Sequence, residues 1–296
     1  MARILRKLRE GGIHAALLGC ALLSVATTIG IVWVLLRESL GFFSDVPLRE
    51  FLFRLEWAPE LGGKYGVWPL VCGTMLVAGG GLLLAIPIGV ATALYLSEYA
   101  PHWLRQLGKP IMEVLAGIPT VVYGYFALMF ITPNIIRPLY PEADVFNAAS
   151  AAIVVGIMII PTIASLCDDA FRAVPRALRD GAYALSATKL EVSTRVVFPA
   201  ALSGVVAAIL LGLGRAIGET MAVAIAAGMT PKVTANPFTS IQTMTGYIVQ
   251  VSLGDTPQGS MAYRTIFVIG FTLFLMTLGI NLVANYVLGR LREKYE

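Results

Sequence analysis

Two residues of opposite charge lie inside one of the most apolar stretches of the sequence. Arg215 is close to the middle of the run 201–228, and Glu219 follows four residues later. On a helix this spacing would place both side chains on one face. An arginine at the centre of a membrane span costs at least about 2.5 kcal/mol, so the shared face is expected to contact protein or water rather than lipid.

These two charges support two hypotheses that the sequence leaves open. In the first, Arg215 and Glu219 form an ion pair that joins their helix to a partner. In the second, the guanidinium provides a station for an anion, because its fork of donors matches phosphate and carboxylate groups. Glu219 would then balance the positive charge whenever no anion is present, so that an anion passes without being trapped.

The composition places these charges in a membrane protein. The chain has 296 residues, of which 57% are hydrophobic and 14% are charged, with a mean hydropathy of +0.77. Soluble domains carry about 25% charged residues, so an ordinary water-soluble protein is excluded. The net charge of +4 comes without a basic stripe, which argues against binding to nucleic acid.

Six apolar runs are long enough to cross about 30 Å of hydrocarbon, which predicts an all-α polytopic membrane protein with six transmembrane helices. They are 14–36, 70–97, 110–132, 147–168, 201–228 and 265–289. Fourteen of the 22 Lys and Arg residues fall on the side of the N-terminus and seven on the opposite side. Because positive charge favours the cytoplasm, both termini and the loop 169–200 are predicted to be cytoplasmic.

Residues that bend helices occur near the middle of several spans. Pro87, Pro119 and Pro161 each remove a backbone hydrogen bond, and Gly214 and Gly218 have the spacing that lets two helices approach closely. These residues have two interpretations. They serve helix packing alone, or they form bent helices around a central pathway that opens and closes.

The loop 169–200 has features of a docking site for another protein. Its middle, Asp180–Ala187, consists mostly of small residues and follows a stretch in which three arginines alternate with apolar side chains. A helix with so little side-chain bulk fits a narrow groove on a partner. The alternative is an amphipathic helix that rests on the bilayer surface.

This loop resembles the EAA loop of bacterial ABC-importer permeases of the MetI-like class. Asp180 matches the acid of that motif, Gly181 and Ala182 its two alanines, Ser186 its glycine and Pro199 its proline. The resemblance implies a coupling helix that docks into a cleft of a cytoplasmic ATPase. Serine in place of glycine would be strained if that position requires a positive φ angle.

Further segments resemble the phosphate-uptake permeases of the PstC type over about residues 35–290. They include Glu56-Trp57-x-Pro59, Leu96-Ser97-Glu98-Tyr99-Ala100-Pro101, Leu115-Ala116-Gly117-Ile118-Pro119 and the run Gly212–Val223. The resemblance implies a MetI-like permease that forms half of a heterodimer with a PstA-type permease. Two copies of a PstB-type ATPase and a periplasmic PstS-type phosphate-binding protein complete the expected assembly. The intramembrane Arg and Glu of that family, implicated in phosphate passage, correspond to Arg215 and Glu219.

The expected organisation has three parts. Residues 1–69 form an N-terminal transmembrane helix and a periplasmic segment, residues 70–289 form the permease core with coupling loop 169–200, and residues 290–296 form a cytoplasmic tail. The expected location is the bacterial cytoplasmic (inner) membrane, with phosphate and lipid as further partners.

No pattern in the sequence indicates catalysis. A G-x-x-x-x-G-K-[ST] phosphate loop is missing, as are H-E-x-x-H and a G-x-S-x-G turn. Cys20, Cys72 and Cys167 have no metal-binding or disulfide spacing. We therefore expect a subunit without a catalytic residue, metal or cofactor, which receives energy from a separate ATPase. A secondary anion transporter and an ABC permease for molybdate or sulfate are the alternatives.

Overall fold

The structure, a computed structural model, describes residues 2–291, which form mostly helices. In chain order these are α1 (Ala2–Asp45), α2 (Leu48–Phe53), α3 (Pro59–Gly62), α4 (Trp68–Leu94), α5 (His102–Ala116), α6 (Thr120–Phe126), α7 (Arg137–Leu139), α8 (Ala148–Ala173), α9 (Arg176–Ala184), α10 (Lys189–Glu191), α11 (Phe198–Ala200), α12 (Leu202–Gly218), α13 (Met221–Ala226), α14 (Met244–Leu253) and α15 (Met261–Leu291). Wide, π-helical turns at Tyr95–Tyr99, Ala127–Ile136 and Val192–Val197 continue α4, α6 and α10.

Four uninterrupted helices are long and apolar enough to cross a membrane, and two bent helix pairs bring the number to six. The single helices are Glu10–Asp45, Trp68–Tyr99, Ala148–Ala173 and Met261–Arg290. The pairs are His102–Ala116 with Thr120–Leu139, bent by 84°, and Lys189–Ala200 with Leu202–Gly218, bent by 69°. The predicted all-α architecture is confirmed, with each bent pair counted as one span.

Two of the predicted spans have the wrong shape. The run 110–132 is divided by the turn at Gly117–Pro119. In the run 201–228, the first helix stops at Gly218 and a second, α13, begins at Met221. Apolarity alone does not reveal such breaks, because the broken segments are as hydrophobic as a straight helix. The predicted tail 290–296 lies almost entirely outside the described residues.

α8 is the central helix, and α4 packs against it along most of its length. In the most apolar part of α8, 67% of the residues are buried, whereas none are buried in the corresponding part of α1. The backbones of α4 and α8 touch where Gly81 faces Gly156: a Cβ on Gly156 would lie 2.8 Å from the carbonyl oxygen of Gly81. Small residues thus allow the tight core that holds the other helices, while the apolar part of α1 is exposed.

Residues of the segments 37–69 and 229–264 pack together, and we call this unit the cap. Strands β1 (Trp57–Ala58) and β2 (Lys64–Tyr65) pair antiparallel, with Trp57 opposite Tyr65. The ring of Trp57 packs edge-on against Tyr247 of α14 with 5.0 Å between centroids. The two long connections, 37–69 and 229–264, therefore contact each other.

Candidate functional site

Arg215 lies in the last turn of α12 and has few protein partners. Its Nη1 donates a 2.8 Å hydrogen bond to Oγ1 of Thr162 in α8. The side chain is half-buried and, within residues 2–291, forms no ion pair. A guanidinium has five N–H donors, so most of them are free to bind an anion.

The expectation that Arg215 and Glu219 share a helical face is wrong. α12 ends at Gly218, and Glu219 has an extended backbone with φ −65° and ψ 132°. Its side chain, 9% exposed, turns towards the next helix and accepts a 3.1 Å hydrogen bond from the N–H of Ala222. Glu219, which precedes the N-cap residue Thr220, thus provides an acceptor for a backbone N–H in the first turn of α13. No ion pair links it to Arg215 in the described part of the chain.

Packing against a neighbouring helix explains the break after Gly218. α13 lies against α6 so closely that a Cβ on Gly124 would be 3.0 Å from the Cα of Ala222. The backbone oxygen of Glu219 also accepts a 2.7 Å hydrogen bond from Oγ1 of Thr245. These contacts hold the chain away from the path that a continuous helix would take.

The glycines around Arg215 do not contact another helix of this chain. A Cβ added to Gly214 or Gly218 would meet no described atom within 4 Å. Gly212, in contrast, packs against Ile159 and Ile163 of α8. α12 therefore has one face buried on α8 and one open face that carries Gly214 and Gly218.

A polar track continues from Arg215 along α8. Thr162, Ser165 and Asp169 are spaced by three and four residues and thus lie on one face of that helix. A cavity of about 250 Å³ between α5 and α8 is lined in part by Lys109, Glu113, Thr162 and Ser165. Nζ of Lys109 lies 3.4 Å from a carboxylate oxygen of Asp169. The track extends about 10 Å along α8, given a rise of 1.5 Å per residue.

The sequence analysis identified neither Thr162 nor Lys109 as a functional residue. A threonine in an apolar helix is common, and a lysine at the end of a span is typical of the membrane surface. The regular spacing of Thr162, Ser165 and Asp169 was the one signal that could have identified the track.

The EAA-like segment forms a short, exposed helix. α9 contains Asp180, Gly181 and Ala182, of which only Ala182 is half-buried. Leu185, the residue after α9, is 86% exposed. Pro199 lies in the last turn of the continuous helix Lys189–Ala200, just before the 69° bend to α12. α9 and its apolar end are thus open to a partner.

Ser186 has a left-handed backbone, with φ +62°. Its N–H bonds to the carbonyl of Tyr183 at 2.9 Å, and the N–H of Ala187 bonds to the carbonyl of Ala182 at 3.2 Å. These two bonds form a Schellman motif, in which glycine is the usual left-handed residue. The position where the EAA motif has glycine therefore does require a positive φ, and serine occupies it under strain.

The three predicted prolines differ in their surroundings. Pro119 precedes α6 at the 84° turn between α5 and α6. Pro87 and Pro161 lie inside α4 and α8, which continue through them without interruption. The chain thus turns sharply at Pro119, and the roles of all three prolines in bending and gating stay predictions.

Comparison with known proteins gives consistent matches. Residues 85–295 match the family described as binding-protein-dependent transport system inner membrane component. A probable ABC transporter permease protein, YqgH of Bacillus subtilis, is 35% identical over 92% of this chain and 88% of its own length. The phosphate transport system permease protein PstC of Xylella fastidiosa is 34% identical over 83% of this chain and 80% of its own length. PstC of Haemophilus influenzae is 30% identical over 92% of each chain.

Solved structures show the same fold at low sequence identity. The inward-facing MetNI methionine ABC transporter aligns with a TM-score of 0.57 and 18% identity, over 77% of this chain and 95% of the other. A bacterial ABC transporter involved in alginate import aligns with a TM-score of 0.59 and 16% identity, over 92% of this chain and 99% of the other. The predicted MetI-like permease fold is confirmed.

Proposed function

We propose the following function for this chain, which belongs to the family of binding-protein-dependent transport system inner membrane components. The chain is the transmembrane permease subunit of an ATP-driven importer for inorganic phosphate, and it forms half of the translocation pathway. The observation that carries this proposal is Arg215, a guanidinium within a predicted span that has one hydrogen bond to the described residues 2–291 and lies beside the open face of α12. Relatives named as phosphate permeases support the choice of substrate.

The assembly we propose contains four kinds of subunit. A PstA-type permease covers the open face of α12 and completes the pathway as a heterodimer. Two copies of a PstB-type ATPase bind α9 and hydrolyse ATP, so this chain itself catalyses no reaction. A periplasmic PstS-type protein delivers phosphate to the cap formed by 37–69 and 229–264, and both termini of this chain face the cytoplasm of the bacterial cell.

The proposed transport step uses the residues of the polar track. Closure of the ATPase pair moves α9 through Asp180, Gly181, Ala182 and the strained turn at Ser186. The helices around Pro87, Pro119 and Pro161 rearrange, and phosphate passes Arg215 towards Ser165 and Lys109. Glu219 contributes by fixing the break between α12 and α13, which sets where Arg215 points.

Transport by the reconstituted complex tests this function. All four kinds of subunit are placed in liposomes, and uptake of labelled phosphate is measured with and without ATP, with sulfate and molybdate as competitors. We expect uptake that requires ATP and the binding protein and that neither competitor reduces. Uptake by this chain alone without ATP would establish a secondary transporter instead. Competition by molybdate or sulfate at equal concentration would assign a different oxyanion.

A further inference from the structure

A buried ion pair links α9 to the π-helical turn Tyr95–Tyr99 at the end of α4. Nη2 of Arg179, in α9, lies 2.9 Å from Oε1 of Glu98, and Nε of the same arginine lies 3.3 Å from that oxygen. The side chains are 15% and 8% exposed, so the pair is largely removed from water. Ion pairs at a protein surface are worth little, but a pair this deeply buried holds its partners firmly because separation leaves a charge without water or protein.

The same guanidinium also binds the end of α8. Nη2 donates to the carbonyl of Phe171 at 2.8 Å, and Nη1 donates to the carbonyl of Val174 at 2.6 Å. The last carbonyls of a helix have no partner within the helix and carry its negative dipole end, so a cation there is favourable. Arg179 therefore joins three elements: α9, the end of α8 and the π-helical turn Tyr95–Tyr99.

Two further cations hold the same turn at Tyr95–Tyr99. Arg105 of α5 donates to the carbonyls of Leu96 at 2.9 Å and Ser97 at 2.6 Å. Nζ of Lys189, at the start of α10, lies 4.9 Å from the ring centre of Tyr99. The turn Tyr95–Tyr99 is thus held by α5 on one side and by α9 and α10 on the other.

We infer that Arg179 and Glu98 form a coupling clamp, which transmits movement of α9 to α4 and α8 and thereby to Arg215. α9 itself is exposed and short, so it could tilt on a docked partner without moving the membrane helices. The clamp prevents this, because α9 cannot shift without pulling the ends of α4 and α8. α8 then carries the movement to Thr162, whose hydroxyl contacts Arg215. Arg179 and Glu98 are positioning residues and do not contact the transported anion.

This inference rests on the proposed function, and one experiment separates the two. Phosphate uptake and ATP hydrolysis are measured together in liposomes that contain the complete complex. Glu98→Gln and Arg179→Gln are each expected to lower the phosphate moved per ATP about tenfold while ATP hydrolysis persists. The double variant is expected to be no worse than Arg179→Gln alone, because Glu98→Gln removes only an interaction that Arg179→Gln already removes.

Controls separate a coupling role from a merely structural one. Arg195→Gln receives the same substitution in an exposed pair with Glu191 that stays within one segment, and it should keep the wild-type ratio. Arg179→Lys retains the charge without the fork and serves if Arg179→Gln fails to assemble; it should give an intermediate ratio. An unchanged ratio in assembled Arg179→Lys and Glu98→Gln complexes would overturn the clamp. A wild-type complex that moves no phosphate would overturn the proposed function.

Discussion

Arg179 and Arg215 are the same residue type in two different environments, and these environments suit the two different roles proposed above. Arg179 is surrounded by acceptors, namely one carboxylate and two helix-end carbonyls. Arg215 has one hydroxyl as its partner in the described part of the chain. A guanidinium whose donors are already engaged fastens elements together, whereas one with free donors can bind a substrate. The number of protein acceptors therefore distinguishes the two proposed roles.

The largest expected effect is the loss of stability when Arg179 is replaced. Arg179→Ala leaves the buried carboxylate of Glu98 without its partner and should lower the free energy of unfolding by about 3–5 kcal/mol. Arg215→Ala should cost about 1 kcal/mol, because it removes one hydrogen bond to Thr162. Denaturant unfolding of the purified complex measures both. Equal losses for the two variants would remove the distinction.

Phosphate transport should be reduced more by Arg215→Gln than by Arg179→Gln, which is the reverse of the order expected for stability. Arg215→Gln removes the charge that an anion would contact, which should slow phosphate uptake about 100-fold, equivalent to about 3 kcal/mol. Its stability should remain close to that of the wild type, since the amide can still donate to Thr162. Initial rates of uptake in the complete complex provide the measurement, and a wild-type rate would contradict the role of Arg215.

A smaller effect should follow from relief of strain at Ser186, next to the clamp. Ser186→Gly allows the left-handed backbone without steric cost and should stabilise this turn by about 1 kcal/mol. Ser186→Ala, the matched control, keeps the strain and should give no gain. Amide hydrogen exchange of α9 should slow in the glycine variant alone. Faster exchange in Ser186→Gly would show that the serine side chain supports the turn.

The smallest effect concerns an ion pair exposed to water, in contrast to the clamp. The hydrogen bond and positive charge of Lys64 hold the pKa of the Glu56 carboxyl below its ordinary value of 4.5. A lowered folded-state pKa means that this stabilisation is present above about pH 4.5 and is lost as the pH falls through the lower value. Acid titration followed by tryptophan fluorescence should show a loss of hairpin structure below about pH 4.5 in the wild type. Lys64→Gln lacks the pair at every pH and should therefore lack this pH-dependent step. Identical titrations would show that the pair contributes nothing.

Much of the fold could be predicted because it depends on composition and local pattern. The apolar runs identified the membrane helices, and the EAA-like residues located α9. The sequence marked Ser186 as a position that would be strained if its φ were positive, and the structure shows that it is. Residues of the site were found where a charge is anomalous in its own sequence context, as Arg215 is. The sequence did not indicate a pair between Glu98 and Arg179, because a charged residue at the end of a span is ordinary and the two are 81 residues apart.

The sequence by itself determined that the chain crosses a membrane, that Arg215 lies within an apolar run where its charge must avoid lipid, and that the EAA-like residues lie in the loop 169–200. These follow from transfer free energies and backbone sterics, which act within a few residues. Only the tertiary structure decided that α12 stops before Glu219, that Arg215 therefore lacks a carboxylate, and that Arg179 has one. Those outcomes depend on contacts such as α13 against α6, and packing between distant segments is not encoded in the spacing of any one of them.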